Sequence, residues 1–228
     1  MQASILKQLN LARTKRQACV VAANLADNSH ELFVEGEFEL ADELGQAVAK
    51  ALRTGKSDKV IIDGEEHFIN AYLPPVRLVV IGAVHISQAL APIAKIANFD
   101  MEIIDPRTAF ANDERFGDVT VVSEWPEDYL KDNPLDAYCG MVAVTHDPKI
   151  DDFPLCEALK AGCFYVGALG SRKTHAKRVD RLKDMGLSEN ETTHIHSPIG
   201  LDIGASSPQE IAVAIMAEII ETFRKRGL

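Results

Sequence analysis

Residues 79–90 read VVIGAVHISQAL. A short apolar, β-branched run stops on a glycine and passes at once into residues with helical apolar spacing, as a dinucleotide-binding βαβ unit does where it opens. The glycine pattern that normally serves such a turn, Gly-x-Gly-x-x-Gly, falls here on Gly82, Val84 and Ser87. Gly82 can make the tight strand-to-helix turn. Val84 sets a branched side chain where a pyrophosphate would approach the backbone, and Ser87 is small enough for helix and strand to pack closely. Asp105 ends the next apolar run, 23 residues after Gly82, where an acid would hold ribose hydroxyls. The ribose half of the signature is thus present and the pyrophosphate half is altered.

Outward from this turn, strand and helix patterns alternate. RLVVIG, MEIID, VTVV, CGMVAV and CFYVGALG are short β-rich runs, and helix-like segments such as HISQALAPIAKIANF and FPLCEALKAG separate most of them. SPQEIAVAIMAEIIETFRKR opens on a Ser cap with Pro in the first turn, carries a wide apolar stripe and ends on basic residues. The pattern predicts the α/β class: a Rossmann-like parallel sheet with helices on both faces. The first 73 residues read differently. ASILKQLNLARTKR suggests a helix, ACVVAANL and HELFVEG strands, and FELADELGQAVAKALRTG a second helix stopped by Gly55. KVIID and HFINAYL suggest a hairpin about Gly-Glu-Glu, after which Pro74-Pro75 breaks the chain. The expected organisation is a small N-terminal α+β domain, residues 1–75, followed by the Rossmann-like domain, residues 76–228.

Composition narrows the function. Of 228 residues, 46% are hydrophobic and 25% charged, an ordinary globular balance. No apolar run is long enough to span a membrane, and the first residues lack a signal-peptide core, so a cytoplasmic protein is expected. A net charge of −10, from 34 acids and 24 bases, argues against a broad nucleic-acid surface. Cys19, Cys139, Cys156 and Cys163 form no C-x-x-C pair and read as buried thiols, with no metal site implied.

Candidate site residues cluster at the expected carboxyl ends of strands. His85 starts the helix after Gly82. Thr145-His146-Asp147 follows CGMVAV and could bind a metal, orient a ligand or move a proton, or could simply form an Asx-type turn. In GALGSRKTHAKRVDRLK, Gly170 leads to Ser171, a helix cap, with Arg172 and Lys173 in the first turn; residues 171–183 carry six bases and one acid. Free N–H groups at such a helix start, with two cations, suit a phosphate or a pterin. The later bases, from Lys177 onward, suit a solvated face equally well. Asp202, between two glycines before the last helix, could face a ligand or close a turn.

GAVHISQAL, IIDPR, ERF, VTHD, YVGALGSRK and PIGLDIGASSPQEIAVAIMAEI, in that order, resemble the XdhC/CoxI family of xanthine dehydrogenase accessory proteins. The resemblance runs from about Arg77 to the C-terminus. It implies a chaperone that binds molybdenum cofactor of the molybdopterin type, protects it while its terminal sulfur is installed, and delivers it to an apo-molybdoenzyme of the xanthine dehydrogenase type. A homodimer is compatible with the family. On that reading Arg172, Lys173 and the Ser171 helix end take the phosphate, while Gly82, His85, Thr145, His146, Asp147, Gly170 and Asp202 line the cleft. Asp105 and Arg107 stand where the nucleotide of a dinucleotide form of the cofactor would lie. Two departures stand out: many relatives have Gly where Val84 stands, and their N-terminal Gly-Ser-x-Pro-Arg-like and Ser-Gly-Gly-Cys motifs are absent here. A separate partner protein could carry that module. Two other readings stay open at this point. One is an NAD(P)-dependent oxidoreductase, or another nucleotide-binding protein, using Asp105 and His85; the other is a scaffold with a vacant Rossmann site.

Overall fold

The computed structural model describes residues 2–39, 41–110 and 115–226. The chain divides into two compact units that part between Pro74 and Pro75. No helix among the described residues is long and apolar enough to cross a membrane.

The first unit runs α1 (Ala3–Thr14), β1 (Cys19–Asn24), β2 (His30–Val34), α2 (Glu43–Thr54), β3 (Asp58–Ile62) and β4 (Glu65–Tyr72). Its strands form an antiparallel sheet in the order β2-β1-β4-β3. Ile5, Leu9 and Ala12 recur at helical spacing on α1 and pack on Cys19 and Val21 of β1. Asp42 caps α2 by accepting the Gly45 N–H at 2.7 Å, and Gly55 ends the helix with φ 68°. The β3–β4 hairpin turns on Asp63 and Gly64, with φ of 52° and 84°. Positive φ at both positions is the mark of a type I′ turn, whose twist matches the flanking strands. The expected Gly-Glu-Glu turn is therefore corrected: Glu65 and Glu66 already belong to β4, opposite Ile62 and Ile61.

The second unit runs β5 (Arg77–Ile81), α3 (His85–Ile96), β6 (Asp100–Ile104), β7 (Thr120–Val122), α4 (Pro126–Asp132), β8 (Cys139–Ala143), α5 (Pro148–Lys160), β9 (Tyr165–Ala168), α6 (Arg172–Asp184), α7 (Glu189–Thr192), β10 (Ile195–His196) and α8 (Pro208–Lys225). The sheet order is β10-β9-β8-β5-β6-β7, and every pairing is parallel. The chain starts at the centre, moves outward to β7, then returns to β8 beside β5 and moves out the other way. This is the Rossmann order, and its switch point lies between β5 and β8.

Burial on both faces follows from the pleat. Leu78 and Val80 point into one core, with Leu90 of α3 and Ile215 and Ile219 of α8. Val79 and Ile81 point into the other, with Leu155 of α5 and Leu182 of α6. These four apolar side chains of β5 are fully buried, each worth about 1.5–3 kcal/mol of apolar burial. The helices thus cover both faces, and β5 holds its first turn at the middle of the sheet's carboxyl edge. Cys19, Cys139 and Cys156 are buried and Cys163 half-buried, all as free thiols. Burial pushes the Cys139 thiol up to about 11 and raises that of Cys163 as well.

Candidate functional site

At the switch point the first turn is closed by its own side chains. Gly82 has φ 116°, and a Cβ there would lie 2.8 Å from Thr145 Cγ2 of the β8–α5 loop. Only glycine allows that conformation and that approach. Ser87, fully buried, donates its hydroxyl to the Gly82 carbonyl at 2.5 Å. It therefore ties the turn as well as fitting it. Val84 is the N-cap residue of α3 and supplies no side-chain cap. Its half-buried side chain packs against the core formed with α8.

Asp105 decides what this turn can hold. It is fully buried, and its Oδ2 accepts the Ala83 N–H at 2.8 Å. Arg107 grips both oxygens, with Nε on Oδ1 at 2.8 Å and Nη2 on Oδ2 at 2.7 Å, while its own N–H donates to Oδ1 at 3.0 Å. Burial alone would raise the Asp105 pKa, but these bonds outweigh it and hold the carboxyl below its usual value. A carboxylate with no exposed oxygen and four donors has none left for ribose hydroxyls. That expectation for Asp105 is corrected. Arg107, its side chain one-third exposed, gives Nε and Nη2 to Asp105 and lies over the Phe110 ring, 4.7 Å from its centroid.

The β8–α5 loop stands beside this turn. Thr145 accepts the Asp147 N–H at 3.0 Å and donates to Asp151 Oδ1 at 2.7 Å. His146 takes φ 65°, an uncommon left-handed conformation outside glycine, and its ring is exposed. Asp147 caps α5 by accepting the Lys149 N–H at 3.0 Å, with Pro148 in the first helical position. The Asx-type reading of Asp147 thus describes its side chain. α5 itself starts five residues before the expected FPLCEALKAG. His85 sits exposed at the first position of α3.

Between α5 and α6 opens a cleft of about 380 Å³, walled by His146, Asp151, Lys173, Lys177, Arg178 and Arg181. Arg181 is already paired with Asp152, at 2.5 and 3.0 Å. Arg178 is only 2% exposed, and its Nη2 donates to the Leu169 carbonyl at 3.0 Å. Its Nε and Nη1 have no hydrogen-bond partner, nor has Asp151 Oδ2. Asp151 is 1% exposed, and burial pushes its carboxyl up to about 6 against the opposing Thr145 hydrogen bond and the Arg178 charge. Burial also lowers the Arg178 pKa. Buried polar atoms without partners are costly and call for a specific reason.

The remaining expected residues fall around this cleft unequally. Gly170 has φ 138°, and a Cβ there would lie 3.2 Å from Thr174. Ser171 caps α6, accepting the Thr174 N–H at 3.2 Å. Lys173 lines the cleft, whereas Arg172 does not. At roughly 100° per residue, positions 173, 174, 177, 178 and 181 share one face, and position 172 lies on the other. Arg172, exposed in the first turn of α6, therefore stands away from this cleft. Asp202 lies exposed in the loop before α8, where Gly200 packs tightly on the Ala214–Ile215 backbone and donates its N–H to Glu218 at 2.8 Å. Asp151 and Arg178 were missed by sequence reasoning. Both occupy core-facing positions of their helices, beside Ile150 and Leu155 on α5 and Leu182 on α6. A helical-wheel reading that flags charges on an apolar face would have found them.

Residues 78–219 match the family model described as the XdhC Rossmann domain. The chain belongs to the XdhC family. Among proteins similar to this XdhC-family chain is one from Bacillus subtilis (strain 168) named as a probable xanthine dehydrogenase subunit, 32% identical over 160 residues, or 70% of this chain and 46% of that one. Another is the protein named molybdenum cofactor insertion chaperone PaoD of Escherichia coli (strain K12), 29% identical over 148 residues, covering 65% and 40% of the two chains. The chain spans less than half the length of the curated relatives it matches. A crystal structure described as a xanthine dehydrogenase from Bacillus halodurans shares the fold, with a TM-score of 0.66 at 23% identity over 97% of this chain and 64% of that one.

Proposed function

We propose that this XdhC-family chain handles molybdenum cofactor: it binds the phosphate-bearing pterin at the carboxyl edge of the parallel sheet and passes it to an apo-enzyme of the xanthine dehydrogenase type. One observation carries the reading. The Rossmann turn is sealed by Asp105 and Arg107, while the adjoining β8–α5 and β9–α6 ends keep cations and unpartnered buried polar groups. An adenine dinucleotide needs an open acid for ribose and a close backbone for pyrophosphate. A pterin cofactor needs anion donors and hydrogen bonds to a flat polar ring, and those are the groups present. His85, Thr145, His146 and Asp147 stand beside the first turn and would meet the ring, with Gly82 leaving room for Thr145. Relatives named for molybdenum cofactor insertion and for xanthine dehydrogenase support the same direction. The chain would act in the cytoplasm as a chaperone and not as an oxidoreductase, as a homodimer or beside a separate protein carrying the N-terminal module that its relatives have. The deciding experiment is transfer. Apo-xanthine dehydrogenase given limiting cofactor should regain activity faster and to a higher level with this chain present. An unchanged yield, or cofactor lost to oxidation at the same rate with and without the chain, would reject the proposal.

A further inference from the structure

We propose that the cleft between α5 and α6 is a phosphate-binding site, in which a phosphate monoester sits against the Arg178 guanidinium with Lys173 and Lys177 at the rim. Residues of α6 one turn apart present the cations to a single face. Arg181 is neutralised by Asp152, but no ion pair holds Lys173, Lys177 or Arg178 among the described residues. Arg178 is the decisive group: it is almost fully buried in the cleft wall, with two donor nitrogens that have no acceptor. Its third nitrogen, held by the Leu169 carbonyl, fixes the guanidinium plane so that little side-chain freedom is lost when an anion arrives. The α6 N-terminus adds a weak attraction of the same sign. About 380 Å³ accommodates a phosphate with part of the group it esterifies. Asp151 is the one acid in the wall. A bound dianion drives it toward its protonated form, in which its unpartnered oxygen becomes a donor to the phosphate.

The site stands on the geometry of the cleft, and it rests on the cofactor reading only for the identity of the esterified group. The test is an amide chemical-shift titration of the full chain with inorganic phosphate. The largest shifts are expected in the first two turns of α6 and in residues 145–151. Arg178→Gln should weaken binding about tenfold or more, as loss of one charge-assisted bond does. Lys177→Ala, at an exposed position that does not threaten folding, should weaken it severalfold. Lys183→Ala, outside the cleft and paired with Glu189, should leave it unchanged. Asp151→Asn should strengthen it at neutral pH. Equal small losses from Lys177→Ala and Lys183→Ala would mean a merely basic surface and overturn the site, as would shifts centred elsewhere or a loss confined to Arg172→Ala. Phosphate binding here without cofactor binding would reject the cofactor reading and leave this site standing. Cofactor binding that phosphate neither displaces nor needs Lys177 for would do the reverse.

Discussion

Asp105 shows how one buried carboxylate can redirect a nucleotide fold. Its four hydrogen bonds are internal, so removing it should unfold the turn before it alters any ligand. Asp105→Ala should cost about 2–4 kcal/mol in urea unfolding, because the Ala83 N–H and the Arg107 guanidinium both lose their acceptor. The pH dependence has a definite sign. The pKa of Asp105 lies below its usual value in the folded state, so its stabilisation is full above the ordinary carboxylate range and is lost as pH falls through the lowered pKa. Val84→Gly restores the second glycine of the dinucleotide pattern, yet it should not confer NAD binding in a calorimetric titration, since Asp105 stays sealed. Asp151 behaves in the opposite way. Its carboxyl, pushed up to about 6, keeps its proton in the folded chain after the unfolded chain has lost it near pH 4. Stability therefore falls as pH rises across that window and is level above it. Asp151→Asn should exceed the parent in stability by on the order of 2–3 kcal/mol at pH 7.5, with the gap narrowing to roughly a third by pH 4.5 and closing below about pH 4. A gap of equal size at both pH values would contradict the assignment. His146, visible in the sequence as an imidazole suited to a site, is singled out further by its left-handed backbone and the cleft beside it.

At the scale of elements, α8 is the piece that locks the far half of the sheet. Glu218 accepts from the Tyr165 hydroxyl at 2.6 Å and the Gly200 N–H at 2.8 Å, and lies 3.1 Å from His196 Nδ1. One helix residue thus joins β9, β10 and the loop that carries Asp202. Burial alone would raise the Glu218 pKa, but the bonds from His196, Tyr165 and Gly200 bring it below its usual value. Glu218→Ala should destabilise the chain by about 2–4 kcal/mol by stranding buried Tyr165, and Glu218→Gln by less, since an amide oxygen still accepts. Thermal melts of the two variants check this; equal losses would show that volume and not hydrogen bonding matters. Most elements were legible because their signals are local: alternation in β3 and β4, a Ser207 cap with Pro208 on α8, Gly55 after α2. β10 was not, because two residues paired by a parallel ladder have no period to read. The early start of α5 was hidden by Asp147-Pro148, a pair that opens a helix as readily as a turn.

For the whole molecule, the sheet order brings residues from positions 82, 105, 145 and 178 toward one edge of one sheet, and no local pattern could reveal which of them would pair. Gly82, Thr145 and Lys173 were visible as residue types suited to a site. The diversion of Asp105 to Arg107 and the burial of Arg178 arise from long-range packing, where burial and partners decide the chemistry. Family membership and the parallel fold are properties of the second unit, and the activity proposed rests on the groups that this unit leaves unpaired. The most direct test of the account is an equilibrium titration of the purified full chain, followed by intrinsic fluorescence, with molybdenum cofactor and separately with NAD and NADP. Saturable binding of the cofactor at stoichiometric levels, weakened by Lys177→Ala, with no binding of either nicotinamide nucleotide, is the predicted result. Tight NAD or NADP binding with no response to the cofactor would contradict it.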